Sequence, residues 1–206
     1  MGFRPSGRVK GALWAAAAAL LVPGVAFAQF SDSYNFLKAV KDRDGSKATE
    51  IISKPGSGSV IIDTRDREKG ETALHLVTRG RDLLWMNFLL GKGAKADVRD
   101  SEGNSPLMIA TQLRFVEGVQ ALLSNRANVN LANSSGETPL IRAVQQRDLV
   151  LVRLLFNAGA NPDKADTIAG LSARDYAKRD VRGAAILRII DEPRAKPAAK
   201  AAGPKL

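Results

Sequence analysis

The sequence contains no cysteine, which excludes disulfide bonds, thiolate-ligated metal sites and a lipid-anchored signal. It has one histidine, His75, so a nucleophilic triad or a histidine-based zinc site would depend on that single side chain. Aromatic residues make up only 5% of the 206 residues, which leaves few anchors for a tight hydrophobic interface. We therefore expect no catalytic activity, no cofactor and no metal ion.

Long apolar runs are also scarce, and the longest, Gly11–Val22, is shorter than the about 20 residues of a membrane-spanning helix. Three basic residues precede this run: Arg4, Arg8 and Lys10. Ala26-Phe27-Ala28 follows it and offers small residues at both positions that a signal peptidase recognises. We expect residues 1–28 to be a signal peptide, cleaved after Ala28, and the mature protein to reside in a bacterial periplasm. A retained N-terminal anchor is the alternative.

Positive charge is concentrated at the two ends of the chain. The formal net charge of +10 falls to +7 without the three basic residues of the leader, and to +3 without the four of Pro193–Leu206. Residues 192–206 are rich in Ala, Lys and Pro and are expected to form a disordered tail. Nucleic acid is not an expected partner of an exported protein, so the charge favours acidic proteins or anionic envelope surfaces.

A period of 33 residues organises the chain between its ends. Gly70, Gly103 and Gly136 are 33 residues apart, and Gly170 follows after 34. Similar segments follow these glycines: Thr72-Ala73-Leu74-His75, Ser105-Pro106-Leu107 and Thr138-Pro139-Leu140. A hydroxyl followed by proline begins a helix, because the hydroxyl accepts from free N–H groups and proline needs no N–H partner there. A fixed period of this length indicates stacked supersecondary units.

This pattern resembles the ankyrin repeat, whose units have the same length and the same Thr-Pro-Leu-His segment. The resemblance implies an all-α solenoid of about five stacked helix-turn-helix units joined by β-hairpin-like loops. The units are 31–69, 70–102, 103–135, 136–169 and 170–191. In the irregular first unit we expect helices at 34–40 and 47–53 and a loop at 54–59. The resemblance also implies that His75 braces adjacent units by hydrogen bonds to backbone.

In the first four units the turn between the paired helices ends in arginine, where the family usually has glycine: Arg43, Arg81, Arg114 and Arg147. A non-glycine residue at positive φ costs about 1 kcal/mol. The following residues Asp44, Asp82 and Asp148 can cap the second helices. Stacking would align the last three arginines in a column along one edge. The column is either a tolerated structural feature or a contact for an anion or an acidic partner.

The usual working surface of such an array is the groove between the loop tips and the outward side of the first helices. The predicted first-helix row is Lys41, Arg79, Gln112, Gln145 and Arg179. The predicted loop tips are Arg65, Arg67, Arg99, Asp100, Asn133, Lys164 and Asp166. Both sets are cationic to polar. We therefore expect a monomeric protein-binding module that takes an acidic protein in this groove. The alternative is an envelope-associated structural protein that binds anionic polymer through its arginine column and basic tail.

Overall fold

The computed structural model describes residues 23–54 and 58–193. Most of the predicted signal peptide and of the predicted tail lies outside these residues. The helices are α1 (Pro23–Lys41), α2 (Gly45–Ile52), α3 (Gly58–Ile61), α4 (Ala73–Arg79), α5 (Leu83–Gly91), α6 (Pro106–Gln112), α7 (Val116–Ser124), α8 (Pro139–Gln145), α9 (Leu149–Asn157), α10 (Ala173–Arg179) and α11 (Ala184–Asp191). Among the described residues, no helix has both the length and the apolar character needed to cross a membrane.

The helices pack as five consecutive pairs, α1 with α2, α4 with α5, α6 with α7, α8 with α9, and α10 with α11. First helices pack on first helices, in the order α1, α4, α6, α8 and α10. Second helices form a parallel outer row, in the order α5, α7, α9 and α11. The expected all-α repeat solenoid is confirmed.

The repeated hydroxyl residues begin the first helices as predicted. The side chains of Ser105 and Thr138 accept hydrogen bonds from the N–H groups of Met108 and Ile141 at 3.2 and 3.3 Å. The leucines that follow are completely or almost completely buried: Leu74, Leu107 and Leu140. Burying such a side chain contributes about 1.5–3 kcal/mol, and neighbouring units supply much of the surface that covers it.

Two hydrogen-bond ladders join the loops of successive units. In the first, the N–H groups of Ser101, Ser134 and Thr167 donate to the carbonyls of Lys69, Glu102 and Ser135, at 2.9, 3.1 and 3.0 Å. In the second, the side chains of Asp63, Asp97 and Asn130 accept from the N–H groups of Lys95, Asn128 and Asn161, at 2.9, 2.8 and 2.7 Å. Both ladders repeat with the period of the sequence, so they fix the register between units.

The four turn arginines have positive φ angles of 51 to 57°. Each side chain reaches the next unit in the array. Arg43 forms an ion pair with Asp82 at 2.8 Å, and the Arg81 guanidinium lies 5.5 Å from the centre of the Phe115 ring. Arg114 donates to the carbonyl of Gln146 at 2.9 Å. Arg147 binds both carboxylate oxygens of Asp180, at 2.5 and 2.9 Å. These contacts favour the structural interpretation of the column.

The predicted helix caps are also present in the turns. The carboxylates of Asp44, Asp82 and Asp148 accept from N–H groups three residues later, at 2.9, 3.1 and 3.1 Å. Each cap satisfies an N–H group that has no partner inside its own helix. Phe115 takes this position in the third unit without a side-chain cap. There the Phe115 ring packs against the Arg81 guanidinium instead.

The first unit differs from its prediction. Its first helix has 19 residues, whereas α4, α6, α8 and α10 have seven each. The predicted loop at 54–59 is wrong at its end, because Gly58 and Ser59 begin the short helix α3. This helical turn leads the chain to Ile61 and Ile62, which are 0% and 2% exposed. Burial of these two side chains is the physical reason for the turn.

Candidate partner-binding groove

The residues of the predicted groove row lie at equivalent positions, at the ends of the first helices. Lys41, Arg79, Gln112, Gln145 and Arg179 are the last residues of α1, α4, α6, α8 and α10. Since these helices pack on one another in that order, the five residues follow each other along the array. Gln112 is half-buried and the other four are exposed. The period places Arg79, Gln112, Gln145 and Arg179 at spacings of 33, 33 and 34 residues, whereas Lys41 belongs to the irregular first unit.

Arg79 is already paired within the protein. Its Nε donates to the Glu71 carboxylate, and its Nη2 lies 3.5 Å from a carboxylate oxygen of Asp100. Glu71 and Asp100 are only 3% and 6% exposed. Arg79 therefore serves as the counter-ion of two buried acids. A related ion pair occurs two units later, where Arg142 binds the buried Glu137 at 2.6 Å from a different helix position.

Three of the predicted loop-tip residues, Asp100, Asn133 and Asp166, close their own loops. One oxygen of Asp100 accepts from the N–H groups of Glu102 and Asn104 at 3.0 and 2.8 Å. Asn133 accepts from the second and fourth N–H groups after it, both at 3.0 Å. Asp166 accepts from three such groups, the shortest bond being 2.7 Å. Asp100 and Asp166 are buried, so their carboxylates are not available to a partner.

The Asp166 carboxylate also accepts a hydrogen bond of 2.7 Å from the Tyr176 hydroxyl. Burial by itself would raise the pKa of Asp166, but the bonds from Tyr176 and from backbone N–H groups outweigh it and lower the pKa. Asp166 therefore stays ionised as part of the scaffold.

The cationic loop residues fall into two groups. Arg99 donates to the carbonyl of Gly103 at 3.0 Å, and Lys164 donates to the carbonyl of Asn130 at 3.0 Å. Arg65 and Arg67 are exposed, and their side chains make no hydrogen bond or ion pair with the described residues. Among the loops that the structure describes, the loop of the first unit is therefore the one whose arginines have free guanidinium groups.

Arg65 and Arg67 line a cleft of about 880 Å³ between α1 and the loop at 64–68. Lys41 from the predicted row lies in the same lining, together with Tyr34 and Leu37. The hydroxyls of Ser33 and Thr64 are 3.1 Å apart and join the helix to the loop. The structure thus brings three predicted groove residues together in one cavity.

The cleft exists because α1 is longer than the other first helices. Aligning Lys41 with Arg79 places Asn35 opposite Ala73, the first residue of α4. Ser33 and Tyr34 therefore stand where the next unit has its incoming loop. Tyr34 was not predicted as a site residue, because the first unit is irregular and the period does not extend to it.

A second cleft, of about 570 Å³, lies between the outer helices α9 and α11. Its apolar lining includes Leu149, Val150 and Ile189, and an ion pair of 3.2 Å between Arg153 and Glu192 lies beside them. No sequence signal pointed to it. It is formed by second helices, away from the groove.

His75 braces two units, as the resemblance implied. Its Nδ1 accepts from the Thr72 N–H at 3.1 Å, and its Nε2 lies 3.1 Å from the Asn104 carbonyl of the next unit. Burial lowers the pKa of His75, and the nearby Asn104 carbonyl and the acids Asp100 and Glu71 only partly oppose it. A neutral ring with a hydrogen on Nε2 satisfies both bonds. The described residues contain no cluster of three or more His, Cys, Asp or Glu side chains suited to a metal ion.

Comparison with known proteins agrees with this architecture. The family model described as "Ankyrin repeats (3 copies)" matches residues 36–133 and 86–166. The chain is also similar to the Oxysterol-binding protein homolog 1 of Saccharomyces cerevisiae, with 33% identity over 73 residues. That alignment covers 35% of this chain and spans only 6% of the length of the yeast protein. From the family match and the stacked helix pairs, the chain belongs to the ankyrin-repeat family.

Proposed function

We propose that this chain is a non-catalytic module that binds an acidic partner protein in its groove. Ankyrin repeats are generally protein–protein interaction modules. The observation that carries the proposal is the distribution of free cations. Lys41, Arg65 and Arg67 line the groove at one end, and Lys178 and Arg179 lie exposed at the other, where they form no ion pair with the described residues.

Free charges of this kind act mainly on association. Exposed cations at the edge of an interface steer an acidic partner toward it and raise the association rate, and salt weakens this effect. The paired arginines of the middle units, Arg79 and Arg142, contribute much less, since their charge is balanced by buried carboxylates. The binding should therefore be moderate in strength and sensitive to salt.

Two observations support a non-catalytic protein-binding role over the alternatives. The histidine on which catalysis would depend is fully buried and hydrogen-bonded on both nitrogens. The four column arginines all contact the next unit, so fewer of their guanidinium N–H groups remain for an anionic polymer. Oxysterol binding is not proposed, because the overlap with the yeast protein covers only 6% of that protein.

A photo-crosslinking experiment in the native host tests the groove. A photoreactive amino acid is placed at Tyr34 or Gln145 in the groove, or at Val150 on the outer face as a control. We expect one partner protein, identified by mass spectrometry, to be captured from both groove positions and not from Val150. Capture from Val150 alone would refute groove binding.

We further propose that the protein acts in the periplasm after removal of residues 1–28. The support is the sequence Ala26-Phe27-Ala28 behind a short apolar run. N-terminal sequencing of the protein purified from its host should find Gln29 first. A chain that still begins with Met1 or Gly2 in the cell would contradict export with cleavage.

A further inference from the structure

We propose that the cleft of the first unit is the anchor point of the partner, and that its occupant is an acidic linear segment that also carries an apolar side chain. The cleft is defined by Tyr34, Lys41, Arg65 and Arg67. The inference rests on the proposed function and narrows it, because the sequence analysis expected contacts along the whole groove.

The charges around the cleft favour acidic side chains. Its lining also contains three acids, but two of them are already engaged. Asp42 pairs with Lys38 at 3.4 Å, and Asp66 accepts from the N–H groups of Lys69 and Glu71 at 2.7 and 3.3 Å. Of the three acids, only Glu68 has no such contact with the described residues. The lining carries four cations and three acids and is therefore net positive, and Lys41, Arg65 and Arg67 form no ion pair with the described residues. Separated carboxylates are attracted to these cations, while a dense line of anions meets the three acids.

The apolar part of the cleft points to a peptide. The Tyr34 side chain is 69% exposed, and the buried Leu37 lies in the same lining. An exposed tyrosine in a concave site offers a rigid apolar surface with a polar hydroxyl, and tyrosine is enriched at binding hot spots. A peptide side chain can cover this ring. An inorganic polyanion has no apolar group that could do so.

The chain itself does not supply a suitable occupant. Its tail after Pro193 carries four basic residues and no acid, so its charge has the same sign as the free cations of the cleft. The acids at the opposite end of the array are paired with arginines: Asp163 and Asp191 with Arg174, Asp180 with Arg147, and Glu192 with Arg153. A second copy would have to break these pairs to enter. A foreign acidic segment meets no such cost.

The test is selection of a random dodecapeptide display library on the full chain, followed by affinity measurements with the enriched peptides made synthetically. The cleft variant is Arg65→Glu with Arg67→Glu. The matched control is Lys47→Glu with Arg188→Glu, which changes the net charge equally at two exposed residues outside the cleft. Thermal unfolding of each variant confirms that it is folded.

We expect the enriched peptides to combine acidic residues with an aromatic or aliphatic residue. The cleft variant should weaken their binding at least about tenfold, and the control by less than about twofold. Tyr34→Ala should weaken binding about fivefold, while Tyr34→Phe keeps most of it.

Each other outcome overturns the inference in a recognisable way. Equal losses in the two double variants would show that only net charge matters. Peptides that depend on Lys178 and Arg179 instead would preserve protein binding and refute the anchor. If no peptide is enriched while polyphosphate binds, the inference and the proposed function both fail. Self-association that is lost in the cleft variant would identify a second copy as the occupant.

Discussion

Replacing Arg79 should destabilise the fold, although the sequence analysis placed this residue on the binding surface. The side chains of its two acidic partners, Glu71 and Asp100, are 4% and 2% exposed, while that of Arg79 is 40% exposed. Removing one member of a fully buried ion pair costs about 3–5 kcal/mol. Water reaches Arg79, which screens the pair, and Asp100 keeps its two backbone N–H donors. We therefore expect Arg79→Ala to lower the free energy of unfolding by about 1–3 kcal/mol.

Urea denaturation followed by circular dichroism measures this loss. The control is Arg179→Ala, because Arg179 ends α10 as Arg79 ends α4 but forms no ion pair within the part of the chain that the structure describes. It should change stability by less than about 0.5 kcal/mol. The double variant Arg79→Ala with Glu71→Gln removes one of the two buried charges that lose their counter-ion and should recover part of the loss.

Equal midpoints for Arg79→Ala and Arg179→Ala would refute the counter-ion role of Arg79. So would a double variant that is no more stable than Arg79→Ala. The distinction matters for binding studies, because reversing the charge of Arg79 would unfold part of the array and imitate the loss of a contact.

Three further predictions concern stability. Leu140→Ala empties a site that is 0% exposed and should cost about 2–5 kcal/mol in the same denaturation assay; a loss below 1 kcal/mol would contradict tight packing between units. Since the pKa of His75 lies below its ordinary value, the unfolded chain takes up a proton first as pH falls below about 6.5. Stability should then decline by up to about 1.4 kcal/mol per pH unit until the pKa of the folded state is reached, and His75→Gln, compared over the same pH series, should lose this component. Arg147→Gly relieves a φ of 54° but loses the contact to Asp180. It should be nearly neutral in the parent chain and stabilising by about 1 kcal/mol when Asp180 is already alanine, as measured by thermal unfolding.

The repeated features of the fold were predictable, because each is specified locally and then copied. Thr138 and Pro139 begin α8, and Asp148 caps α9, for reasons contained within a few residues of sequence. The left-handed turn at Arg147 follows from its position between two helices of one unit. The length of α1 could not be predicted in this way, since the other first helices have no equivalent of its extension.

It was harder to predict from the sequence which charged residues of the candidate site form ion pairs, because these pairs depend on contacts between loops and helices. The period placed Arg79 and Arg179 in equivalent positions, yet one is neutralised by buried acids and the other is free. The acids at positions 71 and 137 precede the cap residues in two units, and this was a usable signal for internal ion pairs. The role of Asp100 was not predictable for a related reason: a short acid at a loop tip can face a partner or accept from its own backbone, and the sequence does not distinguish the two.

The arginine contacts give the array a direction, with consequences for how such a chain can grow. Every turn arginine reaches forward by one unit, and the position that would hold a fifth is occupied by Val181, next to the Asp180 that binds Arg147. A duplicated internal unit would bring both an arginine to donate and a surface to receive the preceding one, so it could be inserted in frame. A unit added after α11 would meet the exposed Val181 where the preceding turn should offer a cation. Lengthening by internal duplication is therefore compatible with the existing contacts, whereas extension at the carboxyl end first requires a cation in place of Val181.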